Sequence, residues 1–181
     1  NEKHIYDVGI EYVLNTDEPG SFCKLAGLIN NNRRINLVMI QHEFGFFEKT
    51  AEEFLLFLKA IHKSVLITFH TVLPNPNDAL RAHVKAISEE VSAIVVMTNT
   101  SAEILINDYE IAVEKIEVIA HGTHLVMHAD KESLKEKYGL VGKKVLSTFG
   151  FISEGKSIET TLRALPSVIA QNPNTCFLVI G

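Results

Sequence analysis

The sequence has only two cysteines, no long apolar run and no cluster of basic residues, and each shortage excludes a class of protein. Cys23 and Cys176 stand far apart with no CxxC partner, which argues against a disulfide framework and favours a reducing, cytoplasmic compartment. The longest apolar runs, at 54–58 and 93–97, fall far short of the roughly 18 residues that cross a bilayer. We therefore expect no disulfide-stapled scaffold and no transmembrane segment.

Charge gives no electrostatic signature of a nucleic-acid-binding protein. The chain has 17 Lys and Arg against 22 Asp and Glu, a formal net charge of −5 with histidine neutral. A mildly acidic chain without a basic patch predicts no nucleic-acid partner, and any phosphate binding has to be local. A peripheral association with a membrane stays open, although nothing in the sequence resembles a basic amphipathic anchor.

The remaining composition is that of a soluble globular chain. Its 181 residues, 46% of them apolar, allow one ordinary domain, or one domain with part of a second. The opening residues Asn1 to His4 lead straight into a strand-like segment, so we expect no signal peptide.

Strand-like and helix-like segments alternate along the chain, which is typical of a mostly parallel sheet with crossover helices. The predicted strands are 35–41, 64–70, 93–98, 116–120, 144–149 and 175–180. Their continuous apolar character predicts strands buried on both faces, with helices on both sides of the sheet. The predicted fold class is therefore α/β with a Rossmann-like, mostly parallel sheet and flanking helices.

Helix start signals stand between these strands. Thr50 with Glu53 and Thr100 with Glu103 each form a capping-box pattern before an apolar repeat. An Asn75-Pro76 pair predicts the start of the helix between the second and third of these strands.

A polar stretch before a new strand-helix-strand pattern predicts two lobes. We assign residues 1–124 to a first Rossmann lobe with an incomplete start, 125–142 to an interdomain linker, and 143–181 to the beginning of a second lobe. One strand, one helix and one strand cannot enclose a core, so the second lobe is expected to be truncated at Gly181.

Polar residues follow the predicted strands at their carboxyl ends, where open α/β sheets bind ligands. His42 and Glu43 follow one strand, His70 ends the next, and His121-Gly122 follows a third. A lone histidine is often structural, so for His70 a functional and a structural role both stay open. His42 and Glu43 also follow a strand. The alternative for them is a hydrogen-bonded pair that only shapes the rim of the sheet.

The segment GFISEGKS, from Gly150 to Ser157, matches the Walker A pattern GxxxxGK[ST] between a strand and a helix. A P-loop would place Lys156 on the terminal phosphates and the Ser157 hydroxyl on Mg²⁺. The bulky Phe151 and Ile152 argue against a phosphate nest. A weaker form of the same chemistry remains: a glycine, one lysine and a helix N-terminus favour a diphosphate. An ordinary solvated lysine is the alternative for Lys156.

Three histidines, His121, His124 and His128, are spaced like metal ligands, yet no acidic or cysteine partner lies near them. Metal binding is therefore the weaker interpretation, and we predict no metal site.

The motifs QHEFG, TFHTVLPNP, VVMTNTSAEIL, IEVIAHGT and VGKKVLSTFGFISEGKSIETTLRALP occur in an order and spacing that resemble the group 1 (family 4) glycosyltransferases. That resemblance implies the GT-B fold of two Rossmann lobes, the first binding an acceptor and the second a nucleotide-sugar donor. It implies a retaining, metal-independent transfer of a sugar to a saccharide or lipid-linked glycan, with no cofactor. A P-loop nucleotide hydrolase and a non-catalytic α/β module are the alternatives.

Residue by residue, the resemblance implies donor-diphosphate binding by Gly150 and Lys156, with Gly122 in the segment that ends the first lobe. It places His70 near the transferred sugar as the catalytic candidate, and leaves His42 and Glu43 for the acceptor side. 

The sequence also departs from the family pattern. Phe151 stands where an arginine is common, and Ser157 where glycine is common. The family's paired-glutamate motif and its N-terminal glycine-rich loop are absent from the sequence. The chain is therefore expected to be a fragment of a larger enzyme, without activity by itself.

Overall fold

A computed structural model describes residues 9–181, and these fall into two compact units divided between Thr123 and His124. No helix in the described part of the chain combines the length and the apolar character needed to span a bilayer. The two units are described separately below.

The first unit alternates helices and strands after an irregular stretch that begins at residue 9. Its elements are α1 (Ser21–Asn31), β1 (Leu37–His42), α2 (Ala51–Ala60), β2 (Ser64–Phe69), α3 (Asp78–Glu90), β3 (Ala93–Val96), α4 (Asn99–Tyr109) and β4 (Ile116–Val118). Two 3₁₀ turns, Phe44–Phe46 and Glu48–Thr50, separate β1 from α2, and a third, Val113–Lys115, precedes β4.

The four strands form one parallel sheet in the order β1-β2-β3-β4. The register pairs His42 with Phe69 across β1 and β2, and Val96 with Val118 across β3 and β4. Because all the strands run in the same direction, their carboxyl ends meet at one edge of the sheet. The loops at that edge carry the histidines singled out from the sequence.

The core of the first unit lies on one face of this sheet. Alternate residues of β2, Val65, Ile67 and Phe69, belong to one buried apolar cluster that also contains residues of all four helices. The strand order explains this arrangement. Crossovers between parallel strands are right-handed. Because each strand lies beside the previous one in the same direction across the sheet, the connecting helices all pack on the same face.

The opposite face of the sheet is exposed within the described residues. Met39 on β1 and Ile119 just after β4 each leave 59% of their surface accessible, and Leu37 leaves 46%. The expectation of strands buried on both faces, with helices on both sides, is therefore wrong for this part of the chain.

Helices begin near the predicted positions, but their capping differs from the prediction. Thr50 stands at the N-cap position of α2, yet its side chain makes no capping hydrogen bond. Helix α3 is capped by Asn77, whose side chain accepts a hydrogen bond from the Leu80 amide, and α4 is capped by Thr98. Asn75, expected at the start of α3, instead adopts a left-handed conformation with φ 52° in the preceding loop.

The second unit contains α5 (Lys131–Lys137), β5 (Lys144–Phe149), α6 (Ile158–Gln171) and β6 (Thr175–Ile180). Strands β5 and β6 pair in parallel, and a 3₁₀ turn at Glu154–Lys156 precedes α6. No residue of this unit is buried, as expected of a single strand-helix-strand unit. Helix α5 lies in the stretch predicted to be a linker. The predicted domain boundaries stay predictions.

The predicted fold class is confirmed, since both sheets are parallel and helices connect their strands. The six predicted strands are present, with ends that differ by at most about two residues, the usual uncertainty of such boundaries. The strand-like segment expected after His4 lies partly outside the described residues, and residues 9–15 form no strand.

Substitutions on the two faces of the sheet should differ in cost. Ile67→Ala on the buried face should lower the free energy of unfolding by about 2–5 kcal/mol, because it leaves a cavity in the core. Met39→Ala on the exposed face should change it by less than about 0.5 kcal/mol. Urea unfolding followed by circular dichroism measures both, and equal losses would contradict a one-sided core.

Candidate functional site

The carboxyl edge of the first sheet brings together His70, Gln41 and His121 on the side of the exposed face. The Nε2 atom of His70 lies 2.6 Å from Oε1 of Gln41, the residue before the last position of β1. The His70 and His121 ring centroids are 6.3 Å apart. All three side chains are accessible to a ligand.

The backbone fixes His70 where β2 ends. Its amide donates a hydrogen bond to the His42 carbonyl at 3.1 Å, which continues the β1–β2 ladder by one residue. Because side chains alternate across a strand, His70 projects from the opposite side to Phe69, away from the core. A ring nitrogen donates or accepts according to the tautomer of the histidine, so this contact bears on which nitrogen of His70 carries the proton.

His121 is oriented by its own neighbour. Its Nδ1 atom lies 2.8 Å from the Gly122 carbonyl oxygen, so Nδ1 carries the donated proton. An open cavity of about 310 Å³ extends from this histidine over the exposed face of the sheet. Its lining combines apolar and polar side chains: Met39, Thr68, Val95, Met97, Ile119 and His121.

The loop after β2 is tied to the end of α4. The buried Tyr109 hydroxyl donates to the Leu73 carbonyl at 2.8 Å, and the Asn75 amide donates to the Asp108 carboxylate at 2.9 Å. Burial, and next the Asp108 charge, raise the pKa of Tyr109, which keeps its hydroxyl protonated as a donor. This anchor fixes the chain directly after His70. Nothing in the sequence pattern pointed to it.

His42 lies on the other face of the sheet from His70. It is 1% exposed and packs against the rings of Phe44 and Phe69, with centroid separations of 5.1 Å to each. Its Nδ1 atom has no hydrogen-bond partner among the described residues. Burial, and to a lesser extent His83, lower the pKa of His42 to about 4. The imidazole is therefore neutral at physiological pH.

A cavity of about 550 Å³ lies beside His42, between the 3₁₀ turns and the start of α3. Its lining includes Phe44, Phe47, Leu80 and His83. Glu43, the next residue in the chain, is half-buried at the start of the first 3₁₀ turn. The structure thus separates His42 from the His70 edge, and the acceptor-side role of both residues stays a prediction.

In the second unit, Gly150 and Lys156 lie next to each other at the end of β5. A Cβ atom on Gly150 would stand 3.3 Å from the Lys156 ammonium nitrogen, closer than most real contacts of a Cβ. Gly150 also has a φ of 103°, which side-chain-bearing residues rarely adopt. Glycine therefore permits the turn, and a larger residue here would make the lysine end shift slightly.

The surroundings of this lysine are aromatic and exposed. Its ammonium nitrogen lies 6.0 Å from the centroid of the Phe149 ring, within reach of a cation–π interaction. Phe151 and Ile152 expose 94% and 70% of their surfaces in the same loop. Helix α6 starts two residues after Lys156, so the positive end of its dipole lies at the same place.

The loop geometry gives the P-loop alternative no support. Residues Glu154–Lys156 form a 3₁₀ turn, and Ser157 is left-handed with φ 46°. The α-helix begins only at Ile158, after the lysine and the serine. A P-loop feeds its Gly-Lys-Ser directly into the helix, with the serine hydroxyl directed at Mg²⁺.

No group of three or more histidine, cysteine, aspartate or glutamate side chains within residues 9–181 is arranged to hold a metal ion. His124 and His128 lie in an exposed segment without regular secondary structure. 

The fold resembles that of a glycosyltransferase from Rickettsia africae ESF-5, with a TM-score of 0.62 over 95% of this chain and 17% sequence identity. The chain spans 54% of the length of that protein. No protein-family model and no curated protein matches the sequence. The likeness extends over both units and shows a Rossmann-like, glycosyltransferase-type fold.

Buried His42 should make the stability of the first unit depend on pH. Its pKa is about 4 in the folded chain against an ordinary value of 6.5, so the unfolded chain takes up the proton more readily. The free energy of unfolding should therefore fall as the pH is lowered from about 6.5 toward 4, by at most about 1.4 kcal/mol per pH unit for this residue.

Urea unfolding between pH 7 and pH 5 measures this dependence. His42→Phe should flatten it, because the variant keeps an aromatic ring and has no titrating group. His83, whose pKa is also lowered by burial, adds a dependence of the same sign, so His83→Gln serves as the matched control. A His42→Phe variant with the unchanged pH dependence of the wild type would contradict the buried, neutral state.

Proposed function

We propose that this chain is part of a glycosyltransferase that moves a sugar from a nucleotide-sugar donor to an acceptor. The observation that carries the proposal is the fold likeness to a glycosyltransferase over 95% of the chain, across both units. The resemblance of the sequence motifs to the group 1 (family 4) enzymes leads to the same class. In this proposal the first unit belongs to the acceptor lobe and the second begins the donor lobe.

The chemistry at the donor side is the stabilisation of a leaving diphosphate. When the glycosidic bond breaks, negative charge grows on the diphosphate oxygens, and preorganised cations and N–H groups lower the energy of that state. Lys156 supplies an ammonium group at the start of α6, and Gly150 lets a phosphate approach the backbone closely. Gly122 is assigned to the donor side in the same proposal.

His70 is the proposed catalytic residue, next to the transferred sugar. Its exposed position at the carboxyl edge, its fixed backbone and its bond to Gln41 support a role in ligand contact over a role in the core. We further propose that transfer retains the anomeric configuration and requires neither a cofactor nor a metal. The acceptor is proposed to be a saccharide or a lipid-linked glycan.

His42 and Glu43 have a weaker place in the proposal. His42 faces the cavity between the 3₁₀ turns and α3, whose walls are largely apolar. A role on the acceptor side would therefore consist of contact with an apolar part of the acceptor.

A cytoplasmic location is proposed on cysteine usage alone.

Nucleotide-sugar binding tests the proposal directly. Calorimetric titration of the full-length protein with UDP-, GDP- and ADP-sugars should show binding of one donor, equally with and without Mg²⁺. Lys156→Ala should weaken that binding about 10- to 100-fold, which corresponds to the loss of one charge-assisted hydrogen bond.

Two variants act as controls. Lys143→Ala removes an exposed lysine of the same unit just before β5, and should leave donor affinity unchanged. Ser157→Ala should also leave it unchanged, whereas a P-loop enzyme would lose Mg²⁺-dependent binding of ATP or GTP. Binding of a nucleoside triphosphate only with Mg²⁺, and of no nucleotide sugar, would overturn the proposal.

A further inference from the structure

We propose that Gln41 is a positioning residue for His70, holding the proton on Nε2 so that Nδ1 is left to accept a hydrogen bond from a ligand hydroxyl. The inference rests on the proposed function for the identity of the ligand. The positioning of His70 by Gln41 rests only on the geometry of the strand ends.

The contact between the two side chains is short and comes from neighbouring strands. Oε1 of Gln41 and Nε2 of His70 are 2.6 Å apart, at the short end of the range for hydrogen bonds. The β1–β2 register pairs Gln41 with Thr68, two residues before His70, so the contact runs diagonally along one face. Diagonal neighbours in a sheet are within reach of long side chains such as glutamine.

In this proposal, the bond to Gln41 sets the tautomer of His70. A neutral imidazole has one N–H donor and one acceptor nitrogen, and the partner of one nitrogen decides the role of the other. A carboxamide oxygen can only accept, so His70 donates from Nε2. Its Nδ1 atom then has a lone pair and no proton.

His121 has the opposite tautomer and a comparable free nitrogen. Its Nδ1 atom donates to the Gly122 carbonyl, which leaves Nε2 as the acceptor. The ring centroids are 6.3 Å apart, so the two imidazoles lie close enough to contact one small ligand.

This pair of acceptors selects the chemistry of the ligand. Hydroxyl groups donate to a nitrogen lone pair, whereas phosphate and carboxylate oxygens need donors. The edge formed by His70 and His121 therefore suits the hydroxyl groups of a saccharide and not the diphosphate, whose proposed partners lie in the second unit. Apolar Ile119 and Met97 in the adjoining cavity are suited to the carbon face of such a sugar.

The tautomer of His70 is measurable without knowing the donor. In the ¹⁵N-histidine-labelled chain at alkaline pH, Nε2 of His70 should show the shift of a protonated nitrogen and Nδ1 that of an unprotonated one. Gln41→Leu should move both shifts toward the values of a mixed tautomer population. Gln41→Glu keeps an acceptor oxygen and should restore the wild-type pattern.

Controls and a binding measurement complete the experiment. Gln171→Leu replaces an exposed glutamine at the end of α6 and should leave both His70 shifts unchanged. Calorimetry with the nucleotide sugar that the full-length wild type binds should give about 3- to 10-fold weaker affinity for Gln41→Leu and near-wild-type affinity for Gln41→Glu. Gln41 is exposed, and its substitution leaves the core unchanged.

The outcomes separate this inference from the proposed function. A wild-type His70 protonated on Nδ1, or shifts that Gln41→Leu does not move, would overturn the positioning role whatever the chain binds. The expected shifts together with binding of no nucleotide sugar would overturn the saccharide as ligand and the proposed function, and would support Gln41 as the residue that sets the tautomer.

Discussion

The first unit depends on one constraint, the right-handed crossover between parallel strands. Since β1, β2, β3 and β4 are added in a single direction, every connection passes over the same face, and the helices form one layer there. Because the strands are also parallel, their carboxyl ends lie at one edge of the sheet. The one-sided core and the exposed opposite face therefore follow from the direction of the crossovers, and the shared edge follows from the parallel strands.

Side chains alternate between the two faces along each strand. His42 and His70 therefore have opposite environments, although both lie at the ends of the paired strands β1 and β2. His42 pairs in register with Phe69 and shares its buried face, among phenylalanine rings. His70 is one residue further along, so it projects on the opposite side, where Gln41 meets it. Burial keeps the first histidine neutral, while the second is accessible and has a defined hydrogen-bond partner. A shift of β2 by one residue would turn His70 toward the core and Phe69 away from it.

The sequence was sufficient to predict the strands, the parallel α/β class and the placement of histidines at strand ends, because these follow from apolar runs separated by capped helices. It was not sufficient to predict which face each histidine occupies. In the run that becomes β1, both alternating sets of residues are apolar, so Met39 on the exposed face and Ile40 on the core side look alike. Continuous apolar character therefore gave a wrong prediction of burial on both faces.

The partner of His70 was also beyond the sequence. Gln41 stands next to His42 in the chain, and only the pairing of β1 with β2 brings it to His70. A single glutamine at the end of an apolar run was only a weak indication that a polar side chain of this strand contacts a residue at the carboxyl edge of the sheet. Similarly, the anchor of the loop by Tyr109 joins residues that are distant in sequence, and no local pattern encodes such a contact.

In the loop of the second unit, the Lys156 ammonium group lies beside Gly150. A Cβ atom at that position would stand 3.3 Å from the ammonium nitrogen, and the exposed lysine would have to shift slightly. Phe151 stands where the resembled family commonly carries arginine, and it offers no donor. An ammonium group is a compact point charge, whereas a guanidinium holds phosphate oxygens through two parallel hydrogen bonds. In the proposed donor site, Lys156 therefore supplies mainly charge and orients the diphosphate less than an arginine would.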